Sequence, residues 1–180
     1  MKRYILTGTP GSGKTSIIRL LERMEHVIAE EAATDVIALE HAQGVSEPWS
    51  STDFIDKIVV LQKQRQVQLC GVSSEFQFYD RSPICTYALA VYLGHKPSTR
   101  LLAEMERIKN EETYETQVFF IDNLGFCKPS EARKISFENS LHFEKIHEET
   151  YAKFGYECVR IAPQSISERT DRVLRLARSF

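Results

Sequence analysis

Gly8-Thr9-Pro10-Gly11-Ser12-Gly13-Lys14-Thr15, followed by Ser16, restricts this chain more than any other stretch. It fits G-x-x-x-x-G-K-[ST] at every fixed position. An apolar run, Lys2 to Leu6, precedes it, and a periodic one carrying Ile17, Ile18, Leu20, Leu21 and Met24 follows. The context is therefore a strand, a tight loop and a helix. Glycines let successive backbone N–H groups turn inward as a nest for phosphate oxygens, and the helix adds the partial positive charge of its first turn. Lys14 is then a mobile cation for the outer phosphates, and the Thr15 hydroxyl a ligand for Mg²⁺. A glycine turn that merely joins a strand to a helix needs neither group. Gly8 through Ser16 are thus expected to hold a nucleoside triphosphate, with ATP and Mg²⁺ as the ligands.

The remaining pattern extends that start into an α/β chain. Strands are expected at Lys2–Leu6, Val27–Ala29, Phe76–Tyr79, Val118–Ile121 and Glu157–Ile161. Helices are expected over Lys14–Met24, Glu31–Gln43, Asp53–Cys70, Ile84–Leu93, Thr99–Asn110, Phe137–Phe154 and Ser165–Arg178. Strands alternating with helices predict a mostly parallel sheet covered on both faces, as one nucleotide-binding domain over residues 1–180. On the last helix Ile166, Thr170, Val173, Leu174 and Ala177 share a face suited to packing on the sheet. Arg169, Arg172, Arg175 and Arg178 recur every third residue there, and with Glu168 and Asp171 interleaved they read as a solvated face.

Composition excludes several alternatives. The longest apolar run is seven residues, Tyr87 to Leu93, against the ~20 needed to span a bilayer. The first residues run into the glycine loop with no apolar leader, so the expectation is a cytoplasmic protein. A net charge of −2 gives no bulk attraction to DNA, RNA or membrane. Cys70, Cys85, Cys127 and Cys158 are far apart and read as free thiols. His142 and His147 are five residues apart, without the spacing of metal ligands on one helix face.

A triphosphate site also needs an acid on a neighbouring strand. Two runs end in one: Phe76 to Asp80, followed by Arg81-Ser82-Pro83, and Val118 to Asp122. The first sets an acid near Mg²⁺ and an arginine near an acceptor, as phosphoryl transfer requires. The second opens Asp122-Asn123-Leu124-Gly125, which fits the D-x-x-G of GTPases, but no N-K-x-D guanine-reading motif occurs. The sequence leaves Asp80 and Asp122 both open as the metal-side acid.

Taken in order, the glycine loop, Glu30-Glu31-Ala32-Ala33, Asp80-Arg81-Ser82, the Val118–Asp122 strand and Gly155 to Val159 resemble the AAA_28-type P-loop predicted ATPases. That group is similar to the ribosylnicotinamide kinase domain of the NadR type and, more distantly, to deoxynucleoside kinases. The resemblance implies a P-loop NTPase fold with strand order 2-3-1-4-5. It also implies a small-molecule kinase passing the ATP γ-phosphate to a nucleoside- or nucleotide-like acceptor, with Glu31 and Arg81 flanking that acceptor. The alternative is a partner-regulated ATPase or switch. Where related proteins carry E-x-x-R at the start of the second helix, Thr34 stands in place of the arginine.

The catalytic set expected on this reading is Lys14, Asp80, Arg81 and Arg133, with Thr15 and Asp80 on the metal. Asp80 or Glu31 takes the acceptor's proton. Arg133 lies in a glycine-, proline- and cation-containing stretch, about residues 123–135, that suits a lid, with Lys128 and Lys134 as alternates. Arg65 and Gln68 interrupt an apolar stripe begun by Phe54, Ile58 and Leu61, and Gln62 and Arg65 are candidate acceptor contacts. Trp49 is either a cap on the acceptor pocket or a local anchor.

Overall fold

The computed structural model describes residues 1–125 and 136–180. Five strands form one parallel sheet: β1 (Lys2–Thr7), β2 (Val27–Ala29), β3 (Phe76–Asp80), β4 (Gln117–Ile121) and β5 (Glu157–Ile161). Their order is β2-β3-β1-β4-β5, as the resemblance implied. The helices are α1 (Lys14–Arg23), α2 (Ala32–Ala42), α3 (Asp53–Leu69), α4 (Pro83–Tyr92), α5 (Thr99–Asn110), α6 (Phe137–Lys153) and α7 (Ile166–Ser179).

Strands buried on both faces explain the unbroken apolar runs seen in the sequence. Side chains alternate across the sheet. Tyr4, Leu6, Phe76, Phe78, Phe119 and Ile121 turn to one face, where Ile17 and Leu21 of α1 and Val173, Leu174 and Ala177 of α7 cover them. Ile5, Tyr79 and Val118 turn to the other, beneath α2 to α6. The stripe expected on α7 needs one correction. Ile166 is exposed at the helix start, and Arg169, read as part of a solvated face, is buried in its place. Its guanidinium donates to the Ser12 carbonyl (2.8 Å) and the Asp122 carbonyl (3.1 Å), so burial leaves the charge bonded.

Register sets the functional end. Leu6 lies opposite Asp80 and, on the other side, Phe119. The glycine loop leaves β1 where β3 ends in its acid, outside the carboxyl ends of the strands, the place where ligands bind in open α/β sheets. Among the described residues no helix is long and apolar enough to cross a membrane.

Candidate active site

The glycine loop closes on itself through Ser12 N–H to the Thr9 carbonyl (3.2 Å) and enters α1 through Ser16 N–H to the Gly13 carbonyl (3.1 Å). Gly13 caps the helix at φ 79°, a conformation glycine adopts without steric cost. Gly8 is needed for a second reason. At φ 145°, a β-carbon there would stand 2.5 Å from the Ile121 carbonyl oxygen, fixed backbone of a central strand. Gly8→Ala is therefore expected to cost at least about 2 kcal/mol of stability in urea titration. A glycine acting only as a flexible joint would lose less than half of that.

Lys14 is buried, and its ammonium donates to Asp80 Oδ1. The neighbouring carboxyl ends of the parallel strands β1 and β3 bring the first residue of α1 to that acid. The other strand-end acid is engaged elsewhere. Asp122 Oδ1 accepts from Arg160 Nη1 at 2.7 Å, and the same guanidinium reaches Glu144 (2.8 Å) and Glu148 while lying 4.4 Å from the centre of the Phe120 ring. Arg160 sits beside Phe120 in the β4–β5 ladder, so it draws Asp122 towards β5 and α6. Of the two acids, Asp80 is the one turned into the loop. Asn123 has its own place: its amide donates to Thr9 Oγ1 (3.3 Å), and its carbonyl oxygen accepts from Gly125 N–H (2.8 Å).

Two cavities adjoin the loop. The smaller, about 280 Å³, is lined by Thr15, Asp80, Glu31, Arg19 and Asp35 among others. Its oxygen donors suit Mg²⁺, which is commonly held by one or two carboxylates together with phosphate oxygens. The larger, about 380 Å³, has mostly apolar walls that include Trp49, Phe54, Ile58, Tyr92 and Phe143. Glu31, Arg81 and Gln62 supply polar groups, and Pro10 of the loop borders it. Trp49 thus belongs to the cavity wall, steadied edge-on by His41, with ring centres 6.2 Å apart. Gln62 faces inward, its amide oxygen accepting from Thr86 Oγ1 at 2.9 Å.

Glu31 lines both cavities. Arg81 Nε donates to Glu31 Oε1 at 2.7 Å, and the Thr34 hydroxyl donates to Oε2 at 3.0 Å. Burial alone would disfavour the Arg81 charge, but the carboxylates of Glu31 and Asp80 and the Cys85 sulfur outweigh it and hold the guanidinium protonated. Arg81 reaches this position from a left-handed backbone, φ 72°, pinned by its N–H to the Leu6 carbonyl (3.0 Å).

Arg65 is a correction. It is not among the cavity-lining residues but turns to Asp35 and to the Glu30 carbonyl (3.0 Å). Arg133, Lys128 and Lys134 lie outside the described residues. Sequence reasoning missed the groups behind the larger cavity: Thr7 of β1 and Tyr151 of α6 meet the Cys85 sulfur at 3.1 and 2.8 Å, and His147 of α6 stands 3.5 Å from Arg81 Nη1, with no shared sequence signal.

The profile of the family described as AAA domain matches residues 3–169. No curated protein matches the chain significantly in sequence. Solved structures do in shape. Deoxyadenosine kinase from M. mycoides with bound dATP gives a TM-score of 0.64 at 14 % identity, over 99 % of this chain and 100 % of that one. The NadR protein in complex with NR gives 0.70 at 15 %, over 99 % of this chain and 50 % of that one, so the chain spans half of NadR. NadR with NAD and AMP-PNP gives 0.67 at 16 %, over 98 % and 49 %. At such identities the likeness is one of fold: a five-stranded parallel P-loop architecture of the kinase kind.

Proposed function

The chain belongs to the AAA domain family, and on that premise we propose that it is a small-molecule kinase transferring the ATP γ-phosphate to a hydroxyl of a nucleoside-like acceptor. The observation that carries this reading is the pair of adjoining cavities with Glu31 on both. A triphosphate cradled by Gly8 to Ser16 would present its outer phosphate at Lys14 and Thr15. An acceptor ring in the apolar cavity, beside Trp49 and Gln62, would present its hydroxyl at Glu31 and Arg81. An ATPase switch has no use for the second cavity. Structures of the same fold bind dATP, AMP-PNP and NR, which supports both halves of the assignment.

Each residue then has a role. The loop backbone and Lys14 hold the phosphates and neutralise charge developing on them. Thr15 and Asp80 would hold Mg²⁺, which when bound draws negative charge off the β- and γ-phosphates. Glu31 accepts the acceptor's proton, and Arg81 orients both Glu31 and the acceptor. Asp122, occupied by Arg160, serves structure. We place the protein in the cytoplasm, acting on small molecules rather than on DNA, RNA or membranes.

The test is ADP release from Mg·ATP with and without a panel of nucleosides, nucleotides and vitamin ribosides. One compound is expected to raise turnover at least about tenfold, with the transferred phosphate recovered on it. Asp80→Asn should lose at least about a hundredfold in that turnover, while Asp122→Asn stays within about threefold. Slow hydrolysis indifferent to every compound would overturn the kinase reading in favour of a partner-regulated ATPase.

A further inference from the structure

Arg81 is held in a backbone conformation that its own side chain disfavours, φ 72°, and such a conformation persists only where the surroundings enforce it. Its N–H on the Leu6 carbonyl and its Nε on Glu31 supply part of that hold. A further contact comes from behind the larger cavity, from a residue that the roles given above leave unused. His147 of α6 is fully buried, and its Nε2 stands 3.5 Å from Arg81 Nη1, although 66 positions separate the two in the chain.

The partners of the ring settle where its proton lies. Nδ1 is 3.0 Å from the Phe143 carbonyl oxygen, which can only accept, so Nδ1 carries the hydrogen. A guanidinium has donors and no lone pair to offer, so Arg81 Nη1 donates and Nε2 accepts. The ring is thus a neutral imidazole bonded at both nitrogens, as a fully buried polar ring requires. A ring protonated at both would set one N–H against another. The same ring rests edge-on against Phe143, with centres 4.2 Å apart, and Phe143 is part of the wall of the larger cavity. His147 therefore backs both that wall and the arginine beside it.

With Nε on Glu31, at the N-cap of α2, and Nη1 on His147 of α6, the planar guanidinium is fixed at two edges. One contact alone would leave it free to swing about a single hydrogen bond. We infer that His147 is a positioning residue whose Nε2 lone pair fixes the plane of Arg81, and through it the Glu31 carboxylate at the junction of the two cavities. The kinetic consequence rests on the kinase reading, while the contact does not. No proton and no phosphate passes to His147. Its ring keeps Arg81 and Glu31 turned to the place where the acceptor hydroxyl must lie, and misplacement there by about 1 Å costs up to about a hundredfold in rate.

The first measurement needs neither an acceptor nor a variant. Long-range ¹H–¹⁵N spectra of the wild-type protein should show His147 with its proton on Nδ1 and a lone pair on Nε2. A ring protonated at Nε2, or at both nitrogens, overturns the proposal. In the same sample the Arg81 Nε–H should exchange with water at least about tenfold more slowly than that of exposed Arg172. His147→Leu fills the space without an acceptor and should speed the Arg81 exchange at least about fivefold, whereas His147→Gln returns an acceptor near the place of Nε2 and should keep it slow. Exchange in His147→Leu as slow as in the wild type overturns the positioning role. With a stimulating acceptor, His147→Leu should lower stimulated kcat about tenfold while the KM for ATP stays within about threefold, and His147→Gln should recover most of the loss. In the Arg81→Ala background His147→Leu should cost no more than about twofold further, because the side chain it acts through is gone. An undiminished loss in that background overturns action through Arg81. If no compound stimulates turnover, the kinase reading fails, and the ring proton and the Arg81 exchange still decide whether His147 holds Arg81.

Discussion

ATP affinity falls by about a hundredfold, close to 3 kcal/mol, when Lys14 is replaced by Ala, because the charge-assisted hydrogen bonds of its ammonium to the outer phosphates are lost. The single variant has a second defect that must be separated from the first. Lys14 and Asp80 are a buried pair, each side chain 4 % exposed. Removing one partner leaves the other as an uncompensated buried charge, at a cost of about 3–5 kcal/mol. Lys14→Ala should therefore also melt about ten degrees lower. Adding Asp80→Asn removes the orphaned charge, so the double variant should regain most of the lost melting temperature. It should regain none of the ATP affinity, measured by calorimetric titration in Mg²⁺. Wild-type affinity in the folded double variant would remove Lys14 from the phosphate cradle. The pair also explains how the site is kept ready. In the free protein Asp80 holds the ammonium between β1 and β3. On the proposed reading, an arriving phosphate would exchange one anionic partner for another and free the Asp80 carboxylate for Mg²⁺.

The elements of this fold were legible because each announces itself locally. The five strands are apolar runs ended by Thr-Gly, an acid or a turn, and all five stand within a residue or two of their expected bounds. The helices follow periodic stretches bounded by local signals: Pro83 opens α4, and Ser98, Ser136 and Ser165 cap α5, α6 and α7 through their side chains, the last in a full capping box with Glu168. The loop from Gly8 to Thr15 was legible as a tight turn from β1 into α1 for the same reason: its glycines stand within one run of consecutive residues. What the sequence left open depends on which side chains meet across the sheet. Asp80 and Asp122 look alike in one dimension. Register puts the first opposite the loop, and Arg160 pulls the second away. Arg65 and Gln62 are three residues apart on α3, yet Gln62 faces the cavity and Arg65 meets Asp35. Arg169 carries the spacing of a solvated stripe, but two carbonyls, of Ser12 and Asp122, await its guanidinium inside. Periodicity places a residue on a face of its helix without saying what that face meets.

The second large effect is expected at Arg81, where side chain and backbone make separate demands. Its guanidinium holds Glu31 at the junction of the two cavities, and its backbone occupies the left-handed region at φ 72°. Arg81→Ala removes the first and keeps a side chain strained by about 1–2 kcal/mol, whereas Arg81→Gly removes the first and relieves the second. Both variants should therefore lose acceptor-stimulated turnover alike, by about 10²–10³-fold, while unstimulated ADP release stays within about threefold of the wild type. They should differ in stability, the glycine variant being firmer by about 1 kcal/mol in urea titration. Arg81→Lys keeps a charge without the planar fork that grips a carboxylate, and should recover no more than about a tenth of the stimulated rate. A loss confined to Arg81→Ala would trace the effect to backbone strain. Equal loss of stimulated and unstimulated ADP release would move Arg81 to the triphosphate itself. Loss of the stimulated rate alone, shared by Ala and Gly, is the outcome that only an acceptor-orienting guanidinium produces. It follows from where the chain sets this residue: one step past the acid that meets Lys14, bonded to the end of β1, with its side chain turned out of the phosphate cavity and into the apolar one.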